Sequence, residues 1–223
     1  MKVSIIIPVL NEEHNLSKIL NCLQGFRHAG HEVIVVDGGS TDNTFKLAQQ
    51  AADRVIESEP GRALQMNHGA SIASGEVYLF LHADTVLPGN ALELIALIPQ
   101  SRHFWGHFEI RLSSDRIIFR LIETLVNLRS RLSSIATGDQ AIFIEAKLFK
   151  NIGGFPQIAL MEDIAVSRLL KKQLKPVCLK SKVLTSSRRW ETNGVLATVL
   201  LMWKLRRYYF LGVSPQRLSQ LYR

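Results

Sequence analysis

Four short apolar runs, separated by helical patterns, decide what this chain can fold into. Residues 3–10 are rich in β-branched side chains and nearly free of polar ones, as in a strand buried on both faces. Residues 13–26 follow with Leu16, Ile19, Leu20 and Leu23 on one helical face. Residues 32–36 repeat the strand pattern, and 42–52 read as a helix that Ser40 or Thr41 is placed to cap. A third strand at 54–57, a helix at 61–74 and a fourth strand at 76–81 complete the series. Repeated β-α-β at this spacing predicts an α/β fold, a mostly parallel sheet flanked by helices.

The second half is less regular. It predicts a strand at 103–112, antiparallel if it pairs locally, and an amphipathic helix at 117–132 with basic residues on its polar side. A strand at 140–144, a helix at 146–152, a Gly153-Gly154-Phe155-Pro156 turn, a helix at 162–172 and a strand at 176–184 follow. An apolar helix at 195–211 closes the chain. No linker divides the 223 residues, which suit one well-buried domain spanning 1–223.

Composition excludes several classes. Cys22 and Cys178 are too few and too far apart for a disulfide framework or a zinc site, and read as buried thiols of a cytoplasmic protein. The N-terminus reads as a strand, not a signal peptide. The net charge of +8 suits phosphate-bearing ligands, nucleic acid or anionic lipid. Lys and Arg gather late, at 171–172, 188–189 and 206–207, without the aromatic interleaving of a nucleic-acid surface.

Ligands of open parallel sheets bind at the carboxyl ends of the strands. Pro8, Asn11, Glu12 and Glu13 follow the first strand here, Asp37-Gly38-Gly39-Ser40-Thr41-Asp42 the second, and His82-Ala83-Asp84 the fourth. Such an acidic edge is unsuited to bare phosphate. It suits base N–H groups, ribose hydroxyls or a bridging cation. A glycine-rich phosphate loop is missing after the first strand, which argues against a nucleotidyltransferase, a dinucleotide-binding dehydrogenase and a P-loop enzyme.

These residues resemble the opening of family 2 glycosyltransferases. Ser4 to Glu13, Val35 to Asp42 and Phe80 to Thr85 carry the likeness. It continues, in order, through Gly61-Arg62-Ala63, Asn67-His68-Gly69-Ala70, Gly138-Asp139-Gln140, Ile152-Gly153-Gly154-Phe155, Glu162-Asp163 and Arg188-Arg189-Trp190. The stretch Gly61 to Met66 is similar to a Gly-Arg-Ala-x-Gln-Met signature of small bacterial members.

The resemblance implies the GT-A fold, with a nucleotide-sugar-binding half at 1–100, an antiparallel acceptor and catalytic half at 101–192 and a C-terminal helical extension at 193–223. It implies transfer of a sugar from a nucleotide-sugar, UDP by default, with inversion at the anomeric carbon. Pro8, Asn11, Glu12 and Asp37 would hold the nucleoside, though Asp37 and Ser40 equally suit a simple turn cap. Asp84 would ligate Mn²⁺ or Mg²⁺. His82 stands where the family has a second carboxylate, and reads as a ligand, a ribose or phosphate contact, or a packed strand-end residue. Asp163 would be the general base with Glu162 beside it, and both acids also suit a helix N-terminus. Arg62, Arg188 and Arg189 would clamp diphosphate, Asp139 would meet the donor sugar, and Trp190 would stack on sugar or simply pack. A non-catalytic nucleotide-sugar binding module is the alternative that His82 favours.

The acceptor, whether lipid, glycan or small metabolite, is not named by the residues. Residues 195–211 are too short to span a bilayer. They fit an interfacial helix on anionic lipid at the inner face of the cell membrane, or packing on the domain or on a second copy of the chain.

Overall fold

The computed structural model describes residues 1–222. The alternating half is β1 (Val3–Val9), α1 (Glu13–His28), β2 (Glu32–Asp37), α2 (Thr44–Ala51), β3 (Arg54–Glu57), α3 (Arg62–Ile72) and β4 (Val77–Phe80). It continues with β5 (Thr85–Val86), α4 (Ala91–Ala96), β6 (Trp105–Leu112), α5 (Ile117–Ser133), a 3-10 turn at Gly138–Gln140, β7 (Phe143–Glu145) and α6 (Ala146–Asn151). The last elements are α7 (Glu162–Gln173), β8 (Val177–Thr185), α8 (Arg188–Asn193), α9 (Val195–Phe210) and α10 (Pro215–Tyr222).

One eight-stranded sheet runs β3-β2-β1-β4-β7-β6-β8-β5. Its pairings leave only β7 and β5 reversed against the other strands. This is the expected α/β architecture, and its core follows the period of two. On β1, Val3, Ile5, Ile7 and Val9 face the cluster built with α1, whereas Ile6 faces the cluster built with α3. Val33 and Val35 against Ile34 and Val36 on β2, and Val77 and Leu79 against Tyr78 and Phe80 on β4, divide the same way. Each such fully buried side chain stabilises the fold by roughly 1.5–3 kcal/mol.

Several expectations need correction. The helix expected at 42–52 starts at Thr44, and neither Ser40 nor Thr41 caps it. Asp42 Oδ1 accepts from the Thr44 N–H at 3.0 Å, while Ser40 turns back to Asp37. The strand expected at 140–144 begins at Phe143. Gln140 is drawn into a buried amide network instead, its Oε1 accepting from the Thr137 N–H and the Ser130 hydroxyl at 3.0 and 2.8 Å. The strand expected at 103–112 is antiparallel to β7 but parallel to β8. Cys22 is exposed rather than buried. The short elements β5, α4, α8 and α10 lacked a periodic signal long enough to read.

The helix α5 departs from the predicted polarity. Phe119 and Ile122 are buried, but Glu123, Asn127 and Ser130 are buried with them, and a leucine stripe faces out. The cause lies in β6. Its partner β7 pairs only with Trp105 and Gly106, so the β6 backbone beyond lacks a neighbour on that edge. Asn127 bonds the Ile110 N–H and carbonyl at 2.9 and 3.1 Å, Glu123 accepts from the Leu112 N–H at 2.6 Å, and Arg120 donates to the Leu112 carbonyl at 2.9 Å.

Candidate active site

The sheet's order changes direction between β1 and β4, and a crevice opens there. Pro8 shapes it. The β1–β4 pairing ends at Ile6↔Phe80, so a proline two residues further along forfeits no ladder bond to β4. The signature on α3 then ties the strand ends together. Gln65 Nε2 donates to the carbonyls of Val9 and Val36 at 2.8 Å each. Gly69 lets α3 lie flat on the sheet, since a Cβ there would stand 2.5 Å from Ile6 Cγ2. Asn67 exchanges two 2.8 Å bonds with the Phe155 backbone, which fixes the Gly153-Gly154 turn at φ +78° for each glycine.

The loops after β1 and β2 are laced to each other. Asn11, at φ 53°, donates its N–H to Ser40 Oγ at 2.9 Å and accepts from the Thr41 N–H at 2.8 Å. Asp37 is buried and accepts from the Ser40 hydroxyl at 2.5 Å and its N–H at 3.1 Å. Turn capping therefore accounts for part of what Asp37 does, and it also fixes the carboxylate at the strand end. Beside it lies an open cleft of about 440 Å³ lined by Gly38, Gly39, Glu57, Ser58, Glu59 and Pro60.

The acidic groups converge one strand over, where the reversed β7 brings its amino end beside the carboxyl end of β4. The Asp84 carboxyl is pushed up by burial and then by the negative charges of Glu12 and Asp139. Thr85 Oγ1, donating at 3.3 Å, and the Arg62 guanidinium oppose that rise. Asp163 accepts from the Gly138 N–H at 2.9 Å and its own neighbour's N–H, Ile164, at 2.7 Å. Burial still raises its carboxyl above the usual range. Glu162 is pushed up to about 7, first by burial and then by the Asp163 charge. Met161, at φ 70°, turns the chain so that both acids open α7. His82 stays neutral, burial and then the Arg62 charge holding it at about 3. Its Nε2 edge abuts Gly138, where no Cβ could fit.

The arginines divide. Arg62 is exposed at the start of α3; desolvation lowers it, and the combined charges of Glu162, Tyr222, Asp163 and Asp84 raise it by more. Arg188 is exposed. Arg189 is engaged elsewhere: its guanidinium stacks 3.6 Å from the Tyr222 ring centre and donates to the Tyr222 carbonyl at 2.8 Å. Trp190 packs against the Leu112, Phe119 and Ile122 cluster, the packing alternative. Sequence reasoning missed Arg129 of α5 and Arg206 of α9. Burial lowers both, and the Arg206 charge adds to this for Arg129, which falls to about 10, while Asp139 and Asp163 counter the shift in each. Both lie mid-helix, where no local signal marks them.

Among the described residues, no three carboxylate, imidazole or thiol groups stand close enough to chelate a metal unaided. The donor set nevertheless fits a hard cation that completes its shell with phosphate and water. Asp84 sits in a negative field, and Asp139 Oδ1 is buried without a partner.

The Glu162–Asp163 pair makes stability pH-dependent. Glu162's folded pKa lies above its unfolded value, so stability is complete below about 4.5 and is lost as pH rises through about 7. The expected loss between pH 5 and 8 is on the order of 2–3 kcal/mol. Glu162→Gln should flatten the thermal-denaturation profile over that range. Parallel profiles for the two proteins would refute the raised Glu162 carboxyl.

A mostly parallel sheet with acids and arginines gathered at its switch point defines a GT-A-type transferase domain. Solved structures share the fold. A Staphylococcus aureus TarS fragment, residues 1–349, in complex with UDP-GlcNAc aligns with TM-score 0.66 at 21% identity, over 83% of this chain and 58% of that one. The Pyrobaculum calidifontis mannosyltransferase PcManGT, in complex with GDP-Man and Mn²⁺, aligns with TM-score 0.65 at 20% identity, over 92% and 60%. Residues 4–146 match the family described as glycosyl transferase family 2, and the chain belongs to that family. A Pyrococcus furiosus dolichol-phosphate mannosyltransferase is 39% identical over 41% of this chain and 28% of its own length. Across curated relatives of this kind the chain spans between 16% and 56% of their length.

Proposed function

We propose that this chain transfers a sugar from a nucleoside diphosphate sugar, with UDP the expected nucleotide, and inverts the anomeric carbon. The observation that carries the reading is that His82, beyond the end of β4, and Glu162 and Asp163, at the start of α7, line one pocket together with Gly138. Its donor-side and acceptor-side walls would then meet there. Asp37, fixed by Ser40, is the acceptor for a base N–H, with Pro8, Asn11 and Glu12 building the loop around it. Arg62, and the exposed Arg188 if its side chain reaches the donor, would offer bidentate donors to diphosphate. Asp139, with its unpartnered oxygen, meets a sugar hydroxyl.

Asp84 would hold Mn²⁺ or Mg²⁺, and the bound cation would neutralise the leaving diphosphate. His82, neutral and packed on Gly138, could lend a nitrogen only by turning from that contact. Asp163 accepts the acceptor hydroxyl's proton as that oxygen attacks from the face opposite the diphosphate. The raised carboxyl keeps it basic enough for the task. For a phosphate acceptor no base is needed, and Asp163 orients instead.

The cationic pair Arg129 and Arg206, beside Asp163, favours an acceptor that carries phosphate. The likeness to a Pyrococcus furiosus dolichol-phosphate mannosyltransferase agrees with a lipid-linked acceptor. Peripheral membrane contact through residues 195–211 belongs to the same reading. Calorimetry with UDP, with and without Mn²⁺, followed by transfer from labelled UDP-sugars, tests the proposal. Metal-enhanced binding with turnover supports it. Binding without hydrolysis or transfer would leave a binding module.

A further inference from the structure

Two helices carry most of the large apolar side chains that the fold leaves in solvent. On α5 these are Ile117, Leu121, Leu125, Leu128 and Leu132, spaced by four, four, three and four residues and 47% to 87% exposed. On α9 they are Leu196, Leu200, Trp203 and Phe210, 59% to 76% exposed. Ordinary surfaces scatter such residues singly, and contiguous stripes mark a contact. The α5 stripe is not a by-product of weak patterning. The inward face is already complete, with Phe119 and Ile122 packed on Leu112 and Glu123 and Asn127 hydrogen-bonded to β6, so the outward leucines are a second apolar face that the fold leaves without a partner.

The two helices adjoin. Trp190 of α8 and Val195, the first residue of α9, pack against the same apolar cluster as Ile118 and Val126 of α5, built around Phe119 and Ile122. Further along, Arg206 and Arg129 feel each other's charge. Cations frame the stripes: Arg116 beside the first, with Arg131 there paired to Glu109, and Lys204 and Arg207 within the second, all exposed. Neither helix exposes an acid, because α9 contains none and Glu123, the only one in α5, is buried. A second copy docked stripe to stripe would oppose cation to cation. An anionic bilayer complements both the charge and the apolar face. No helix of the described residues is long and apolar enough to cross a membrane, which leaves the in-plane mode.

We propose that α5 and α9 together form a docking platform that lies in the headgroup layer of an anionic phospholipid membrane, with α5 contributing as much as the terminal helix. The platform rests on the stripes themselves. Its use, to hold the Arg129–Arg206 side of the cleft against a lipid-borne acceptor, rests on the transferase reading.

The full chain should float with vesicles containing about 30% phosphatidylglycerol and stay behind with pure phosphatidylcholine. Trp203 fluorescence should shift to the blue and be quenched by lipids brominated on the acyl chains. Leu121→Ser/Leu125→Ser, and separately Leu200→Ser/Trp203→Ser, should each lower vesicle partitioning by at least about tenfold. Both should keep the wild-type melting temperature, since the changed side chains are exposed. Failure to bind anionic vesicles overturns the proposal, as does wild-type binding by the α5 variant. So does a light-scattering dimer that these substitutions convert to monomer. UDP calorimetry separates the two readings. Nucleotide binding without vesicle binding removes the platform alone, and vesicle binding without nucleotide binding removes the transferase reading alone.

Discussion

Asp163→Asn is expected to lower transfer to a hydroxyl acceptor by roughly 10²–10⁴-fold, the range a general base contributes, while UDP affinity stays unchanged. The amide can still accept one of the two backbone N–H bonds that Asp163 now receives from Gly138 and Ile164, so the start of α7 persists. It cannot take a proton. The substitution also removes the negative charge that helps push Glu162 up to about 7, so the Glu162 carboxyl should fall. In the wild type, transfer should rise with pH as the coupled pair loses its proton, because the base works only as the anion. A variant with full activity toward hydroxyl acceptors would take Asp163 out of the mechanism. Selective retention with phosphate acceptors would instead give it an orienting role.

Asp84→Ala is expected to abolish the response of nucleotide binding to Mn²⁺ and to cut transfer by roughly 10²–10³-fold, the scale of several kcal/mol of charge stabilisation. Folding should not confuse the result. The Asp84 carboxyl is penalised by burial and by Glu12 and Asp139, so replacing it relieves repulsion, and the melting temperature should hold or rise. Unchanged affinity and unchanged metal response, measured by calorimetry, would remove Asp84 as the ligand. The pairing of lost function with retained stability is the distinguishing mark, since a structural acid would show the opposite.

The Gly61 to Met66 signature shows how a motif becomes geometry. Its glutamine closes the ends of β1 and β2 from the helix side, and its arginine, exposed, is raised by the charges of Glu162, Asp163 and Asp84 against desolvation. Loss of Gln65 would remove a buried donor from two carbonyls, of which Val9's keeps the Gly38 N–H at 2.9 Å, at a cost of about 1–3 kcal/mol. The Asn67 and Gly153-Gly154 elements, distant in sequence, form one clamp. Their likeness to a family pattern was readable, but their contact with each other was not.

From sequence alone, β1 to β4, the helices between them, and the placement of Asp37, Asp84 and Asp163 at element ends could be derived. These follow from local causes: period-two and period-3.6 burial, turn chemistry, and the rule that ligands meet parallel sheets at strand carboxyl ends. Tertiary structure alone decided the reversed β7 that brings Gly138 beside His82. It alone decided the burial of polar groups on α5 and the bringing of Arg129 and Arg206 within the field of Asp163. Each depends on which backbone edge goes unpaired and which distant helix lies next to it. No window of neighbouring residues holds that information, because the groups satisfied by Asn127, Glu123 and Gln140 belong to other strands and turns.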